Sequence, residues 1–221
     1  MVGDYWVVIP AKDEEERITD VILKTRRHTY NVIVVDDGST DDTYRMAVAA
    51  GAFEVISSSL NNGKAAAMEV GAFAALLKGA EVIVFIDADG QHDADKIPAL
   101  VRKLDEGFDM VTGCRDLTKA PWDRKIGTNM IKVALRVLWG IRASDPLSGF
   151  RVMTADTFKR VKWDVRKKYC VESDILIGSK KAGLNVAEVT IPTKYVEKHS
   201  GITRKDGFKI LWNVIWRRLV G

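Results

Sequence analysis

The chain has 221 residues, of which 47% are hydrophobic and 29% are charged, and its formal net charge is +4. This length and composition suit one folded α/β domain and argue against a disordered tail, a repeat solenoid or a second large domain. No apolar run reaches the ~18 residues that a membrane span requires. Cys114 and Cys170 have neither metal-site nor redox-pair spacing, so we expect reduced thiols in a cytoplasmic protein.

Short apolar runs and helical segments alternate along the chain. Buried strands are predicted at 7–9, 32–35, 55–56, 82–86 and 110–112. Helices are predicted with a first turn at 13–16, and over 42–51, 64–78 and 95–106. This alternation predicts a Rossmann-like α/β fold, in which a mostly parallel sheet carries helices on both faces.

Acidic loops follow three of the predicted strands, at 10–14, 36–37 and 87–91. Because ligands bind at the carboxyl ends of parallel strands, we expect these loops to converge on one edge of the sheet. Asp87 and Asp89, two residues apart in a turn, can both reach one hard cation, and Gln91 can add an amide oxygen. The alternative is a turn in which Asp-x-Asp has no ligand.

Two further loops have polar residues with more than one reading. Asp36 is predicted to accept hydrogen bonds from a nucleobase or ribose, whereas Asp37 and Ser39 alternatively stabilise the turn and cap the next helix. Lys64 follows Gly63 at a predicted helix start, where backbone N–H groups and an ammonium can face a diphosphate. The spacing is not that of a P-loop, and no G-x-G-x-x-G follows the first strand, which disfavours kinase-like and dinucleotide-binding functions.

Two segments, 122–142 and 206–221, have the pattern of amphipathic helices that lie on a membrane surface. In the first, apolar residues at helical spacing are predicted to face inward and basic residues to face lipid headgroups. The alternatives are helices packed on the core and, for the second segment, a dimerisation helix. The apolar residues are Ile126, Met130, Val133 and Val137, then Phe208, Leu211, Trp212, Ile215 and Leu219, and the basic residues are Lys125, Lys132, Arg136, Lys209, Arg217 and Arg218.

Five motifs occur in the order seen in family 2 glycosyltransferases. They are VIPAKDE at 8–14, VVDDGS at 34–39, GK at 63–64, DADGQH at 87–92 and SGFR at 148–151. The chain therefore resembles this family over nearly its whole length, and within it the dolichol-phosphate mannose synthases and related polyprenyl-phosphate sugar transferases. The resemblance implies a GT-A catalytic domain over 1–205 and an amphipathic helix over 206–221.

The resemblance also implies an activity and a set of site residues. It implies inverting transfer of a hexose, with mannose or glucose favoured, from a GDP- or UDP-sugar to a polyprenyl (dolichyl) phosphate at the cytoplasmic membrane face. Mg²⁺ or Mn²⁺ would be the cofactor, a second copy of the chain is a candidate partner, and nucleic acid is not one. The implied residues are Asp89, Arg115 and Asp145 for catalysis; Pro10, Ala11, Glu14, Asp36, Asp37, Lys64, Asp87 and Ala88 for the nucleotide sugar; Arg115, Arg124, Ser148, Lys198 and Arg204 for the acceptor phosphate; and Asp87, Asp89 and Gln91 for the metal.

The identity of the acceptor decides whether a general base is needed. A polyprenyl phosphate is already anionic at neutral pH, so it requires no strong base. A hydroxyl acceptor requires one, and Asp145, Glu172 or Asp174 are the candidates. A nucleotidyltransferase is disfavoured because its Gly-rich signature is absent after the first strand, and a non-catalytic nucleotide-sugar-binding protein stays open as an alternative.

Overall fold

The structure is a computed structural model that describes residues 4–116, 122–166, 170–192 and 204–220, except for the side chains of 122–124, 204–206 and 220. The strands are β1 (Tyr5–Ala11), β2 (Val32–Asp37), β3 (Glu54–Ser58), β4 (Val82–Phe85), β5 (Met110–Arg115), β6 (Arg151–Thr154) and β7 (Val186–Ile191). The helices are α1 (Ile18–Thr25), α2 (Thr43–Ala49), α3 (Lys64–Leu77), α4 (Ile97–Leu104), α5 (Trp122–Trp139), α6 (Ala155–Arg160), α7 (Val171–Lys181) and α8 (Arg204–Val220), with a 3₁₀ turn at Ala94–Lys96 before α4.

The seven strands form one sheet in the order β3-β2-β1-β4-β6-β5-β7. Every neighbouring pair is parallel except those of β6, which runs antiparallel to both β4 and β5. The carboxyl ends of β1, β2 and β4 therefore lie side by side. Because β6 runs the other way, the segment that precedes it, 145–150, reaches the same edge of the sheet.

Helices cover both faces of this sheet. Residues of β1 and β2 are buried almost without interruption, as expected for parallel strands between two helical layers. On one face Val8 and Phe85 lie in the apolar core that α3, α5, α7 and α8 complete. On the other face Ile9 and Val84 lie in the core formed with α1, α2 and α4. The prediction of a mostly parallel α/β fold with helices on both faces is confirmed.

The acidic segment 13–16 is not the first turn of a helix, as the sequence had indicated, because α1 begins at Ile18. Asp13 has a positive φ of 53°. The backbone N–H groups of Asp13 and Glu14 donate to the side chains of Ser39 and Thr43 in the loop after β2. These bonds between the two loops replace the helical turn and fix the loop after β1 against the loop after β2.

Close packing fixes α3 against the sheet. A Cβ atom built on Gly71 would lie 2.4 Å from Cγ1 of Val8 and 3.0 Å from Cγ2 of Val35. The helix therefore approaches β1 and β2 more closely than any side chain at this position would allow. Lys64, the first residue of α3, lies at the carboxyl edge of the sheet.

Helices α5 and α8 pack against each other on the α3 side of the sheet. In α5 the residues that enter the core are Ile131 and Leu135, and in α8 they are Ile210 and Val214. The prediction that the stripe of Ile126, Met130, Val133 and Val137 faces inward is wrong, because these four side chains are 46–74% exposed. The helix has two apolar stripes, and periodicity alone could not tell which one packs against α8.

Helix α8 also presents an apolar outer side, formed by Phe208, Trp212, Trp216 and Leu219. Its inner side is tied down by Asn213, whose amide donates to Asp174 of α7 at 2.7 Å, and by Val214, whose carbonyl accepts from the Trp139 indole at 3.1 Å. None of the described helices is both long and apolar enough to cross a bilayer.

Candidate active site

Lys64, Asp87 and Glu172 form an ion-pair cluster at the carboxyl edge of the sheet, in which Glu172 is buried and the Lys64 and Asp87 side chains are 29% and 21% exposed. The Lys64 Nζ atom lies 2.6 Å from Asp87 Oδ1 and 2.7 Å from Glu172 Oε1. Burial disfavours the charge of Lys64, but the two neighbouring carboxylates more than offset this and raise the pKa of Lys64. In turn Lys64, together with His92, holds the pKa of Asp87 well below its usual range despite burial. Lys64 and Asp87 are therefore both ionised at neutral pH.

Asp87 is enclosed on its remaining sides. The His92 Nε2 atom lies 3.4 Å from Asp87 Oδ2. A Cβ built on Gly149 would lie 2.4 Å from both carboxylate oxygens. Residue 149 must therefore be glycine for the segment before β6 to lie this close to the carboxylate. His92, whose side chain is 2% exposed, therefore contacts Asp87 from inside the protein.

Asp89 has the opposite electrostatic situation. Its pKa is raised, first by burial and then by the negative charge of Asp87. Its Oδ1 accepts the backbone N–H of Gln91 at 3.0 Å, and Ala88 and Gln91 are buried beside it. Asp89 is thus a partly buried carboxylate that a bound cation would stabilise.

The residues that could hold a divalent cation are the predicted set of Asp87, Asp89 and Gln91. Two carboxylates and an amide oxygen within one turn match the hard oxygen ligands of Mg²⁺ and Mn²⁺. Among the described residues no group of three or more His, Cys, Asp or Glu side chains is placed to hold a metal by itself. The set therefore fits a metal that receives its other ligands from a substrate or from water, as Mg²⁺ does at phosphate sites.

The two carboxylates at the end of β2 bind the protein's own loops. Asp36 is buried and accepts from the Ser39 N–H at 3.0 Å and from the Ser57 hydroxyl at 3.1 Å. Asp37 accepts the backbone N–H groups of Asn62 and Gly63, both at 2.7 Å. Asp37 thus fixes the loop before α3 and not the start of α2, which was the sequence alternative. The nucleotide-binding role of both residues stays a prediction.

The predicted residues after β1 lie on the same edge. Pro10 and Ala11 are buried at the end of the strand. Glu14 is largely buried and pairs with Arg17 at 2.8 Å, and burial raises its pKa despite this partner. Glu14 also feels the charge of Asp89, so the loops after β1 and β4 face each other, as predicted.

Arg115 and Asp145, both predicted site residues, form a bidentate ion pair. Arg115 Nε lies 2.6 Å and Nη2 3.1 Å from the Asp145 oxygens, and the Arg115 N–H also donates to the carboxylate. Burial disfavours the charge of Asp145, but the hydrogen bonds and positive charge of Arg115 outweigh this and lower the pKa of Asp145. The nearby hydroxyl of Ser148 is buried and donates to the Gly113 carbonyl. The geometry favours a role for Asp145 in orienting Arg115 over a role as a base.

The other two base candidates differ in their surroundings. Asp174 is fully buried and accepts from Asn213, with Arg217 at 3.5 Å, so its carboxylate anchors α8. Glu172 is the second residue of α7, and its carboxylate lies 2.7 Å from Lys64 at the carboxyl edge of the sheet. Of the two, only Glu172 lies in the site.

Arg151 is a residue whose role the sequence did not reveal. Among the described residues it is the largest fully buried side chain, and it donates to the carbonyls of Ser148 at 3.2 Å and Glu172 at 2.8 Å. It thereby joins the segment before β6 to the start of α7, behind the carboxylates. The only signal was a charged residue between Phe150 and Val152 in an apolar strand, which the motif alone did not interpret.

Three predicted phosphate-binding residues cannot be placed. Lys198 lies outside the described residues, as do the side chains of Arg124, in the first turn of α5, and of Arg204, at the start of α8. Their roles stay predictions.

Comparisons with known proteins identify the family of this chain. The model of the family described as "Glycosyl transferase family 2" matches residues 6–161 of this chain. An uncharacterised protein of Methanocaldococcus jannaschii is 33% identical over 226 residues, which cover 98% of this chain and 93% of that protein. The UDP-N-acetylglucosamine–dolichyl-phosphate N-acetylglucosaminyltransferase of Methanococcus voltae is 29% identical over 97% of this chain and 96% of its own length.

Among solved structures, the glucosyl-3-phosphoglycerate synthase of Mycobacterium tuberculosis has a similar fold. Its complex with Mn²⁺, UDP-glucose and phosphoglyceric acid superposes with a TM-score of 0.76 at 23% identity, covering 98% of this chain and 80% of that one. The matched span of the family, 6–161, contains nearly all of β1, the strands β2 to β6, and the residues Asp36, Asp87, Asp89 and Arg115. The chain has the GT-A fold and belongs to glycosyltransferase family 2.

Proposed function

We propose that this protein is an inverting, metal-dependent hexosyltransferase that uses a nucleotide diphosphate sugar and a polyprenyl phosphate at the cytoplasmic face of a membrane. The observation that carries the proposal is the meeting of four groups at one edge of the sheet. The acidic turn of Asp87 and Asp89, the ammonium of Lys64 and the guanidinium of Arg115 lie there together. This combination suits a reaction between two phosphorylated substrates.

On the donor side, the turn after β4 would hold Mg²⁺ or Mn²⁺ through Asp87, Asp89 and Gln91. When bound, such an ion neutralises negative charge on the leaving diphosphate. Lys64 is placed to donate to a phosphate oxygen beside that turn. The Mn²⁺ and UDP-glucose in the M. tuberculosis structure support the metal and donor class, and the M. voltae relative supports a lipid phosphate acceptor.

On the acceptor side, Arg115 would orient the phosphate. Asp145 fixes the plane of its guanidinium, so Arg115 is preorganised before the acceptor arrives. The acceptor phosphate attacks as an anion, and no proton has to be removed. Catalysis is then mainly a matter of holding two anions in line.

The outer sides of α5 and α8 support a position on the membrane surface. Exposed apolar side chains form a stripe on each helix, and Trp212 stacks on Trp216 in α8 with ring centroids 6.2 Å apart. Apolar and aromatic side chains with basic residues beside them are typical of helices that enter the headgroup region. A bound lipid phosphate would bring its chain to the same surface.

Release of nucleoside diphosphate tests the proposal. Purified protein is given GDP-mannose, UDP-glucose and UDP-N-acetylglucosamine, each with and without polyprenyl phosphate, in Mn²⁺ or Mg²⁺ and then in EDTA. We expect release from one donor that depends on the lipid and stops in EDTA. Release that does not respond to polyprenyl phosphate would contradict the lipid acceptor, and release of pyrophosphate would indicate a nucleotidyltransferase.

A hydroxyl acceptor is the second candidate function, and Glu172 is the observation that favours it. Its carboxylate is buried at the catalytic edge, where a base would act once Lys64 moved away. The M. tuberculosis relative, whose complex contains phosphoglyceric acid, motivates this acceptor class. Adding phosphoglyceric acid to the same panel distinguishes the two functions, because only a hydroxyl-directed enzyme would release nucleoside diphosphate in response to it.

A further inference from the structure

Lys64 lies between two carboxylates, that of Asp87 in the turn proposed to bind the donor and that of Glu172. Its backbone is set by Gly63, which has a φ of 94° and whose N–H is held by Asp37. From there the ammonium reaches both Asp87 and Glu172 within 2.7 Å. A lysine ammonium between two buried carboxylates supplies the positive charge that they would otherwise lack.

The same contacts cover the oxygens that a metal would use. The Lys64 ammonium lies 2.6 Å from Oδ1 of Asp87, the His92 ring nitrogen lies 3.4 Å from Oδ2, and a side chain at position 149 would clash with both oxygens. Asp89 makes no ion pair within 4 Å with any described residue, and its carboxylate accepts the backbone N–H of Gln91 at 3.0 Å. A divalent ion arriving alone would therefore find Asp89 accessible and Asp87 already bound to an ammonium.

We infer that Lys64 is a resident counter-cation of Asp87 that competes with the divalent ion, so that the metal binds tightly only together with a nucleoside diphosphate. This inference rests on the proposed function. When the diphosphate is present, its oxygens can accept the ammonium that leaves Asp87 and can complete the coordination of the metal. Lys64 is thus a positioning residue that couples metal binding to donor binding.

The test measures Mn²⁺ binding by loss of the electron paramagnetic resonance signal of the hydrated ion. Wild-type protein is titrated alone, with UDP and with GDP. We expect weak binding alone and at least roughly tenfold tighter binding with one nucleotide. Lys64→Met frees Asp87 and should bind Mn²⁺ without nucleotide about tenfold more tightly than wild type.

Two further variants separate competition at Asp87 from a general change of charge. Lys64→Met combined with Asp87→Asn should lose the gain, because the uncovered ligand is gone. Glu172→Gln leaves Lys64 on Asp87 and should bind Mn²⁺ no more tightly than wild type. Thermal melting confirms that each variant is folded, and Lys64→Gln replaces Lys64→Met if that variant does not fold.

Each outcome is decisive. Unchanged Mn²⁺ affinity in the Lys64 variant overturns the inference while the proposed function stands, and so does a gain that survives Asp87→Asn. Wild-type protein that takes up no Mn²⁺ even with UDP or GDP overturns the proposed metal-dependent function, and the inference with it.

Discussion

Asp87 and Asp89 are two residues apart, yet their carboxylates are in opposite electrostatic situations. Asp87 is paired with Lys64 and has a lowered pKa, whereas burial and Asp87 raise the pKa of Asp89. The raised pKa means that the ionised form of Asp89 opposes folding at neutral pH. A catalytic turn that holds one unfavourable charge is expected where that charge serves to bind a cation.

This difference predicts that two variants, both expected to lose glycosyl transfer, have opposite effects on the stability of the fold. Asp89→Asn removes the unfavourable charge and should raise the free energy of unfolding by about 1 kcal/mol in metal-free buffer. Asp87→Asn deprives Lys64 of a partner and should lower it by about 1–3 kcal/mol. Urea unfolding in EDTA measures both. Equal effects on stability would show that the two carboxylates are not in different environments.

The ion pair of Arg115 and Asp145 gives a second prediction. The side chain of Asp145 is 0% exposed, so removing its partner leaves a buried charge. Arg115→Ala should therefore lower the free energy of unfolding by about 3 kcal/mol. Arg115→Ala with Asp145→Asn should cost less than the two single variants added together, and strict additivity in this double-mutant cycle would contradict the pairing.

The lowered pKa of Asp145 also sets the pH at which this pair stabilises the fold. Because the pKa is lower in the folded protein than its ordinary value of 3.8, the stabilisation is complete above that pH and is lost as the pH falls through the folded pKa. The unfolding free energy of the wild type should therefore fall more steeply below pH 4 than that of Asp145→Asn. Parallel curves for the two proteins would contradict this assignment.

At the level of secondary-structure elements, the position of α3 relative to the sheet depends on one glycine. Gly71→Ala would place a Cβ against Val8 and Val35, whose branched side chains have little rotamer freedom in the core. Overpacking of this kind should lower the free energy of unfolding by about 1–2 kcal/mol after the helix-propensity gain of alanine.

Gly127 in α5 is the matched control for this change. A Cβ there meets no atom within 4 Å, so Gly127→Ala should raise the free energy of unfolding by about 0.5–1 kcal/mol. Thermal and urea unfolding of the two variants give the comparison. A neutral result for Gly71→Ala would mean that α3 can move away from the sheet without cost.

The elements of the sheet were largely predictable, but their boundaries at the site were not. Val32, Ile33 and their neighbours form a continuous apolar run that indicates a buried strand. The turn at 13–16 resembles a helix start because acidic residues are common both in turns and in the first turn of a helix. Hydrogen bonds to Ser39 and Thr43 favour the turn here, and the sequence does not show that these distant residues lie nearby.

For the molecule as a whole, the apolar outer sides of α5 and α8 predict binding to anionic lipid. Val137→Ser with Trp212→Ser removes two exposed apolar side chains and should weaken co-sedimentation with anionic liposomes by more than about tenfold. Leu23→Ser is the control, because Leu23 is an exposed apolar residue of α1 on the opposite face of the sheet. Equal loss for both would show that the binding is nonspecific.

The sequence by itself determined the α/β class, the mostly parallel direction of the strands and the acidic loops at their carboxyl ends. These depend on apolar periodicity and on turn chemistry, which are local properties. It also singled out Asp87, Asp89, Lys64 and Arg115 through the resemblance to family 2 glycosyltransferases.

Only the tertiary structure decided which groups contact these four site residues. The antiparallel course of β6 brings Gly149 against Asp87, and α7 brings Glu172 to Lys64 across 108 residues of chain. It also decided which stripe of α5 faces outward, because packing against α8 and not periodicity selects the buried side. Contacts of this kind depend on distances between segments that are far apart in the chain, and such distances are fixed only when the core is packed.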